Sequence, residues 1–203
     1  DYEYDIIIGT QLITKGYHFP NLACVGIIDA DMTLKGGDLR ASEKTYQALY
    51  QVSGRAGRAQ TKGRVIIQTY YPENETIQSL AQLDRDAFYE NEIYYRKLNN
   101  LPPSGKMAAI IVSGNNIAKV REQCSIMFGS IPNISELEIY GPAPAPLSKL
   151  KGRHRQRFLI HDKKARNMQK IVNAWLKNSK SLSSVNISVD IDPFSFEFYT
   201  KLN

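Results

Sequence analysis

Asn99-Asn100-Leu101-Pro102-Pro103-Ser104-Gly105 divides this sequence into two architectures, and the patterns on either side of it decide the fold. Paired prolines followed by a glycine cannot continue a helix, so the stretch ends one element and starts another. Upstream, Tyr4-Asp5-Ile6-Ile7-Ile8, Cys24-Val25-Gly26-Ile27-Ile28 and Arg64-Val65-Ile66-Ile67-Gln68 are short apolar runs, and Ser42 to Gln51 reads as a helix. Continuous apolar strands alternating with helices predict a parallel sheet covered on both faces. Further helices are predicted from about Asn74 to Leu83 and from Asp84 to Leu98, each beginning with a good N-cap residue. Downstream, the predicted order is strand (Met107 to Val112), helix (Asn116 to Phe128), strand (Leu137 to Tyr140), strand (Gln156 to Ile160), helix (Lys163 to Lys177) and strand (Val185 to Ile191). This is βαββαβ, the order of a split βαβ unit. Gly141-Pro142-Ala143-Pro144-Ala145-Pro146 is expected to be a stiff connection between the two central strands, and Trp175, at helical spacing with Ile171 and Val172, to pack on the sheet. The expected fold is α/β, with a parallel-sheet domain over residues 1–100 and a smaller α+β domain over 101–203.

Composition narrows the functional classes. At 42% hydrophobic and 23% charged residues the chain matches ordinary soluble proteins, and no apolar run approaches the roughly 20 residues that span a bilayer. Asp1-Tyr2-Glu3-Tyr4-Asp5 is acidic where a secretory signal is basic, and Cys24 and Cys124 are too few and too far apart for a zinc site or a disulfide framework. A reducing cytoplasm and no membrane partner are expected. The net charge of +6 is unevenly spread: residues 1–100 hold 11 Lys and Arg against 13 Asp and Glu, while residues 101–203 hold 15 against 7. A basic half of this kind is the electrostatic footprint of nucleic-acid binding, although it also occurs as plain solvated surface.

Gln51-Val52-Ser53-Gly54-Arg55-Ala56-Gly57-Arg58 carries the chemistry. Guanidinium groups bind phosphate through planar, paired hydrogen bonds, so Arg55 and Arg58 are suited to a polyphosphate, and Arg58 to the charge on a transferring γ-phosphoryl group. Gly54 lets a nucleotide come close, and Gln51 completes the expected nucleotide-binding set. Gly9-Thr10-Gln11-Leu12-Ile13-Thr14-Lys15-Gly16 follows the first predicted strand and presents backbone N–H groups and a hydroxyl at the end of the sheet where ligands bind. Val25-Gly26-Ile27-Ile28-Asp29-Ala30-Asp31 has the look of a magnesium-binding strand, but the phosphate loop that must accompany one occurs nowhere in this chain. Its carboxylates are expected to cap a turn or to pair with Arg40. Lys151, Arg153, Arg155 and Arg157 recur at every second residue, which on a strand puts them on one face about 7 Å apart, near the phosphate spacing of an extended nucleic-acid strand. His154 and His161 lack the clustered partners of a metal site and are expected to be surface or hydrogen-bonded residues.

The arginine stretch resembles the sixth motif of superfamily 2 helicases, and the Gly9-Thr10 turn resembles the fifth. Beyond these motifs, the first half is similar to the second RecA-like lobe of the primosomal replication-restart helicases through Asp5-Ile6-Ile7-Ile8-Gly9-Thr10-Gln11, Phe19-Pro20, Asp29-Ala30-Asp31 and Arg40-Ala41-Ser42-Glu43. The second half resembles that family's C-terminal domain through Leu101-Pro102-Pro103, Gly141 to Pro146, Gly152-Arg153-His154-Arg155 and Val189-Asp190-Ile191-Asp192-Pro193. The resemblance implies an ATP-dependent DNA helicase moving three-prime to five-prime, restarting stalled forks and loading the primosome. It implies ATP with magnesium shared with an absent first lobe, zinc only in an absent upstream segment, and Thr10 and Lys15 on the DNA path. The implied partners are forked and single-stranded DNA, single-stranded DNA-binding protein and other primosome proteins. His18 stands where the family has an aspartate, which removes any contact that carboxylate would make. Two other readings stand beside this one: a non-catalytic module binding nucleic acid or protein, and another superfamily 2 helicase.

Overall fold

A computed structural model describes residues 4–10, 22–32, 34, 39–54 and 63–193. They fall into two compact units that divide between Glu92 and Ile93, inside a helix and ahead of the expected boundary at residue 100. The mixed α/β character is as predicted, with a two-stranded parallel sheet in the first unit and a four-stranded antiparallel sheet in the second.

In the first unit β1 (Cys24–Ile27) and β2 (Arg64–Ile67) run parallel, with Val25 opposite Val65 and Ile27 opposite Ile67. The helices are α1 (Ala41–Ser53), α2 (Glu75–Ala81) and α3 (Arg85–Leu98), which crosses into the second unit. Asn74 caps α2 by accepting the Thr76 N–H at 3.0 Å, as its position in the sequence predicts. Val25, Ile27, Ala30 and Ile77 form one small core, and Tyr46, Leu80 and Phe88 a second, where the Tyr46 and Phe88 rings stack 4.1 Å apart. One expectation fails here. Tyr4 to Ile8 pairs with no strand among the described residues, and Ile6 and Ile8 are 80% and 92% exposed. Three β-branched residues gain from a strand conformation when both faces are covered, and nothing described here covers them. Among the described residues the parallel sheet has two strands, fewer than a doubly wound lobe requires.

The second unit runs β3 (Lys106–Gly114), α4 (Ile117–Gly129), β4 (Leu137–Leu150), β5 (Arg153–Asp162), α5 (Met168–Asn178) and β6 (Asn186–Ile191). The sheet order β4-β5-β3-β6, antiparallel throughout, is the split βαβ arrangement predicted from element order. Ala108, Ile110, Val112, Phe158 and Ile160 share one sheet face and pack with Val120, Cys124 and Met127 of α4 and Met168, Val172 and Trp175 of α5. Trp175 is 1% exposed, meets Phe158 edge-on and donates its indole N–H to the Met127 carbonyl at 3.0 Å. Gln123, fully buried, ties down the chain after α5 by donating to Lys180 O and accepting from Leu182 N–H.

The boundary stretch is built by its backbone. Asn100 takes φ 52°, allowing Leu101 N–H to reach back to Arg96 O at 2.8 Å, the closing bond of a helix that usually ends in glycine. A Cβ on Gly105 would lie 1.7 Å from Asn100 O, so no other residue fits there. Asp192, after β6, fastens the start of β3 at this same end of the sheet: its carboxylate takes the Lys106 ammonium at 2.6 Å and the Met107 N–H at 3.0 Å. Two elements differ from prediction. β4 extends ten residues past Tyr140, through the proline-rich stretch expected to be a connection. α5 starts at Met168, because Lys163 to Asn167 are spent on a turn held by Asp162 and on the Asn167 cap.

Candidate functional site

Gln51 is exposed in the last turn of α1, and Gly54 caps that helix through an N–H bond to Tyr50 O at 3.0 Å. A Cβ on Gly54 would make ordinary contacts of 3.4 and 3.8 Å, so helix packing does not require glycine there. Thr10 is exposed. Lys15, His18, Arg55 and Arg58 lie outside the described residues. Of the predicted nucleotide site, the structure therefore places the helix end that leads into the arginines.

Of the carboxylates after β1, Asp31 binds the distant chain beyond β2, where capping of the following turn or a pair with Arg40 was expected. Asp31 is fully buried, and it accepts the Thr69 hydroxyl at 2.5 Å and the Tyr70 N–H at 2.8 Å, holding the chain beyond β2.

The basic strand is partly rearranged. Lys151 and Gly152 form the tight turn between β4 and β5, at φ 48° and 79°, so Lys151 stands outside the strand alternation. Arg153, Arg155 and Arg157 do share the sheet face opposite Phe158 and Ile160. Their burial separates them: Arg153 is exposed and donates to Ser113 O at 3.5 Å, Arg157 is half-buried, and Arg155 is 6% exposed. The cause lies in β4. Pro144 sits opposite Gln156 and Lys149 opposite His154, so residues 145–148 bulge on the β4 side of Arg155, whose register partner is Ser113 of β3. Arg155 fills that bulge and donates to Leu147 O at 3.3 Å, and its burial lowers the guanidinium pKa. The same bulge delivers exposed Lys149 next to the turn. Sequence reasoning passed over Lys149, although it continues the every-second-residue spacing of Lys151, Arg153, Arg155 and Arg157 toward the N-terminus.

His161 is hydrogen-bonded, within the reading made for it. It is 8% exposed, with Nε2 2.8 Å from Asn100 O and Nδ1 3.6 Å from Glu138. Glu138 is itself held by the Lys163 ammonium and by the Tyr140 hydroxyl, which lower its pKa. Among the described residues no group of three or more His, Cys, Asp or Glu side chains could hold a metal ion. Cys124 is buried, which pushes its thiol up to about 11.

Residues 97–194 match the family model described as the primosomal protein N C-terminal domain. Replication restart protein PriA of Rickettsia conorii is 47% identical over 194 residues, 96% of this chain. The chain belongs to the PriA family of replication restart proteins. The PriA of Bacillus subtilis is 37% identical over 94% of this chain, and that of Haemophilus influenzae 33% identical over 93%. This chain spans 30% of the length of the Rickettsia conorii protein and 24% and 26% of the other two. The PriA domain match begins within α3, four residues after the division between the two units, and takes in every strand of the second sheet. No described helix is long and apolar enough to cross a membrane.

Proposed function

We propose that this chain is part of an ATP-dependent DNA helicase that restarts stalled replication forks, moving three-prime to five-prime. The observation that carries this reading is the run Gln51 to Arg58 inside a chain 47% identical, over 96% of its length, to a replication restart protein. The first unit is read as a piece of a RecA-like lobe, for which the parallel β1–α1–β2 order is the support. Gln51, Arg55 and Arg58 would hold the phosphates of ATP with magnesium, and Thr10 and Lys15 would lie on the DNA path. When bound, ATP would supply the γ-phosphoryl group whose transfer to water cycles the lobes between closed and open. The exposed end of α1 and a Gly54 that helix packing does not demand suit a close approach by phosphate. Lys149, Lys151, Arg153 and Arg157 of the second unit would follow the backbone of single-stranded or forked DNA. Single-stranded DNA-binding protein and other primosome proteins are proposed as partners, through the same basic unit.

The test is made in the full-length protein. Arg58→Ala should lower DNA-stimulated ATP turnover about a thousandfold or more with little change in nucleotide affinity, because such an arginine acts on charge that develops in the transition state. Arg58→Lys should recover little of it, since an ammonium lacks the guanidinium fork. The 203-residue chain alone should hydrolyse no ATP, having no phosphate loop. Near-normal turnover in Arg58→Ala would remove the arginine from the site and the mechanism with it.

A further inference from the structure

The segment after β2, Gln68-Thr69-Tyr70-Tyr71-Pro72-Glu73-Asn74, combines a backbone bonded at Gln68, Tyr70, Tyr71, Pro72 and Asn74 with two exposed tyrosines. Gln68 N–H bonds Ile27 O at 2.9 Å and Ala30 N–H bonds Gln68 O at 3.0 Å. Asp31 takes the Thr69 hydroxyl and the Tyr70 N–H, and the Thr69 oxygen in turn takes the Tyr71 N–H at 3.0 Å. Asn74 N–H closes on Tyr71 O at 3.0 Å, and the Gln78 amide donates to Pro72 O at 2.6 Å. A carboxylate removed from water is costly even when bonded, and here it is spent on a surface loop. What that loop presents is Tyr70 at 75% exposure and Tyr71 at 52%, just past the C-terminal end of a parallel strand, where α/β sheets take ligands.

We infer that Tyr70 and Tyr71 form a stacking platform for unpaired bases of single-stranded nucleic acid, a role that rests on the DNA-binding reading above. Residues 68–74 contain no Lys or Arg, so the loop offers phosphate no cation. Two adjacent rings and a proline are also too small an area for a stable protein interface, which needs on the order of 800 Å² per partner. A base needs one flat face, and a ring held by a rigid backbone loses little freedom on receiving it.

The experiment compares two probes on the full-length protein, an oligodeoxythymidine strand and an abasic strand of the same length. Tyr70→Ala/Tyr71→Ala should weaken binding of the first by roughly fivefold to a hundredfold and leave the second unchanged. The salt dependence of binding should keep its slope, since no counterion contact is lost. Tyr70→Phe/Tyr71→Phe, which keeps the rings, should bind like the native protein. Equal losses on both strands, or no loss on either, overturn the platform. So does a weaker ATP affinity with unchanged DNA affinity, which would make adenine the occupant. Native protein that binds neither strand would sink the DNA-binding reading itself.

Discussion

Asp162, at the end of β5, has no exposed surface and yet stays ionised through its partners. Burial by itself would raise its carboxyl pKa, but the Arg166 guanidinium and the backbone N–H groups of Arg166 and Lys164 outweigh burial and lower it. A carboxyl depressed in the folded state adds stability above the ordinary carboxylate range and loses that contribution as pH falls through the folded value. Asp162→Asn should therefore cost about 1–3 kcal/mol at neutral pH, the range for a buried bond to a half-exposed cation. In urea titrations at decreasing pH, the gap between variant and native protein should close below the carboxylate range; a gap constant with pH would count against an ionised Asp162. This bonding was not legible in the sequence. Helical spacing from Lys163 onward is real, but a carboxylate that binds N–H groups two and four residues on competes with the helix and delays it to Met168. Asn74 and Asn116 were legible, because an N-cap is a local bond between a residue and the turn that follows it.

At the scale of elements, β4 shows where pattern reading stops. Pro142, Pro144 and Pro146 remove ladder donors and argue against a strand, but β4 lies at the edge of the sheet, where one side of the ladder has no partner strand. Edge position is a property of the assembled sheet and is invisible in the run itself. Gly141 adds the bend: φ is 111°, and a Cβ there would sit 2.5 Å from Arg157 O. The bulge that follows redefines Arg155 from an outward cation to the filler of a gap in β4. Arg155→Gln keeps a donor for Leu147 O and removes the charge, so it should leave the salt slope of single-stranded DNA binding nearly unchanged. Arg153→Gln should lower that slope by roughly 0.7. Equal drops would return Arg155 to the DNA-contacting set. The remaining strands and helices were predicted within a few residues because each has a continuous apolar face or a helical period of its own.

For the whole molecule, the division of charge follows the division of structure, with the basic excess in the half that holds the four-stranded sheet. Removing two exposed cations, Lys151→Ala/Arg153→Ala, should flatten the log–log salt dependence of single-strand binding by about 1.4. An unchanged slope would make the basic turn solvated surface or a protein-docking face. The proposed nucleotide site rests on the spacing of Arg55 and Arg58 in the sequence, and both lie outside the described residues. The platform of Tyr70 and Tyr71 was not legible, since adjacent tyrosines at a strand end read equally well as core. The sheet order β4-β5-β3-β6 has a further effect, on the timing of folding. β3 is one of the two interior strands, and both of its neighbours come later in the chain: Ala108 lies opposite Ile160 and Ile191. During synthesis, β3 therefore leaves the ribosome with both edges open; β5, from Arg153, closes the first and β6, from Asn186, the second. Its apolar run Ala108 to Val112, at most 3% exposed once folded, is for that interval the stretch of the chain with most need of a chaperone.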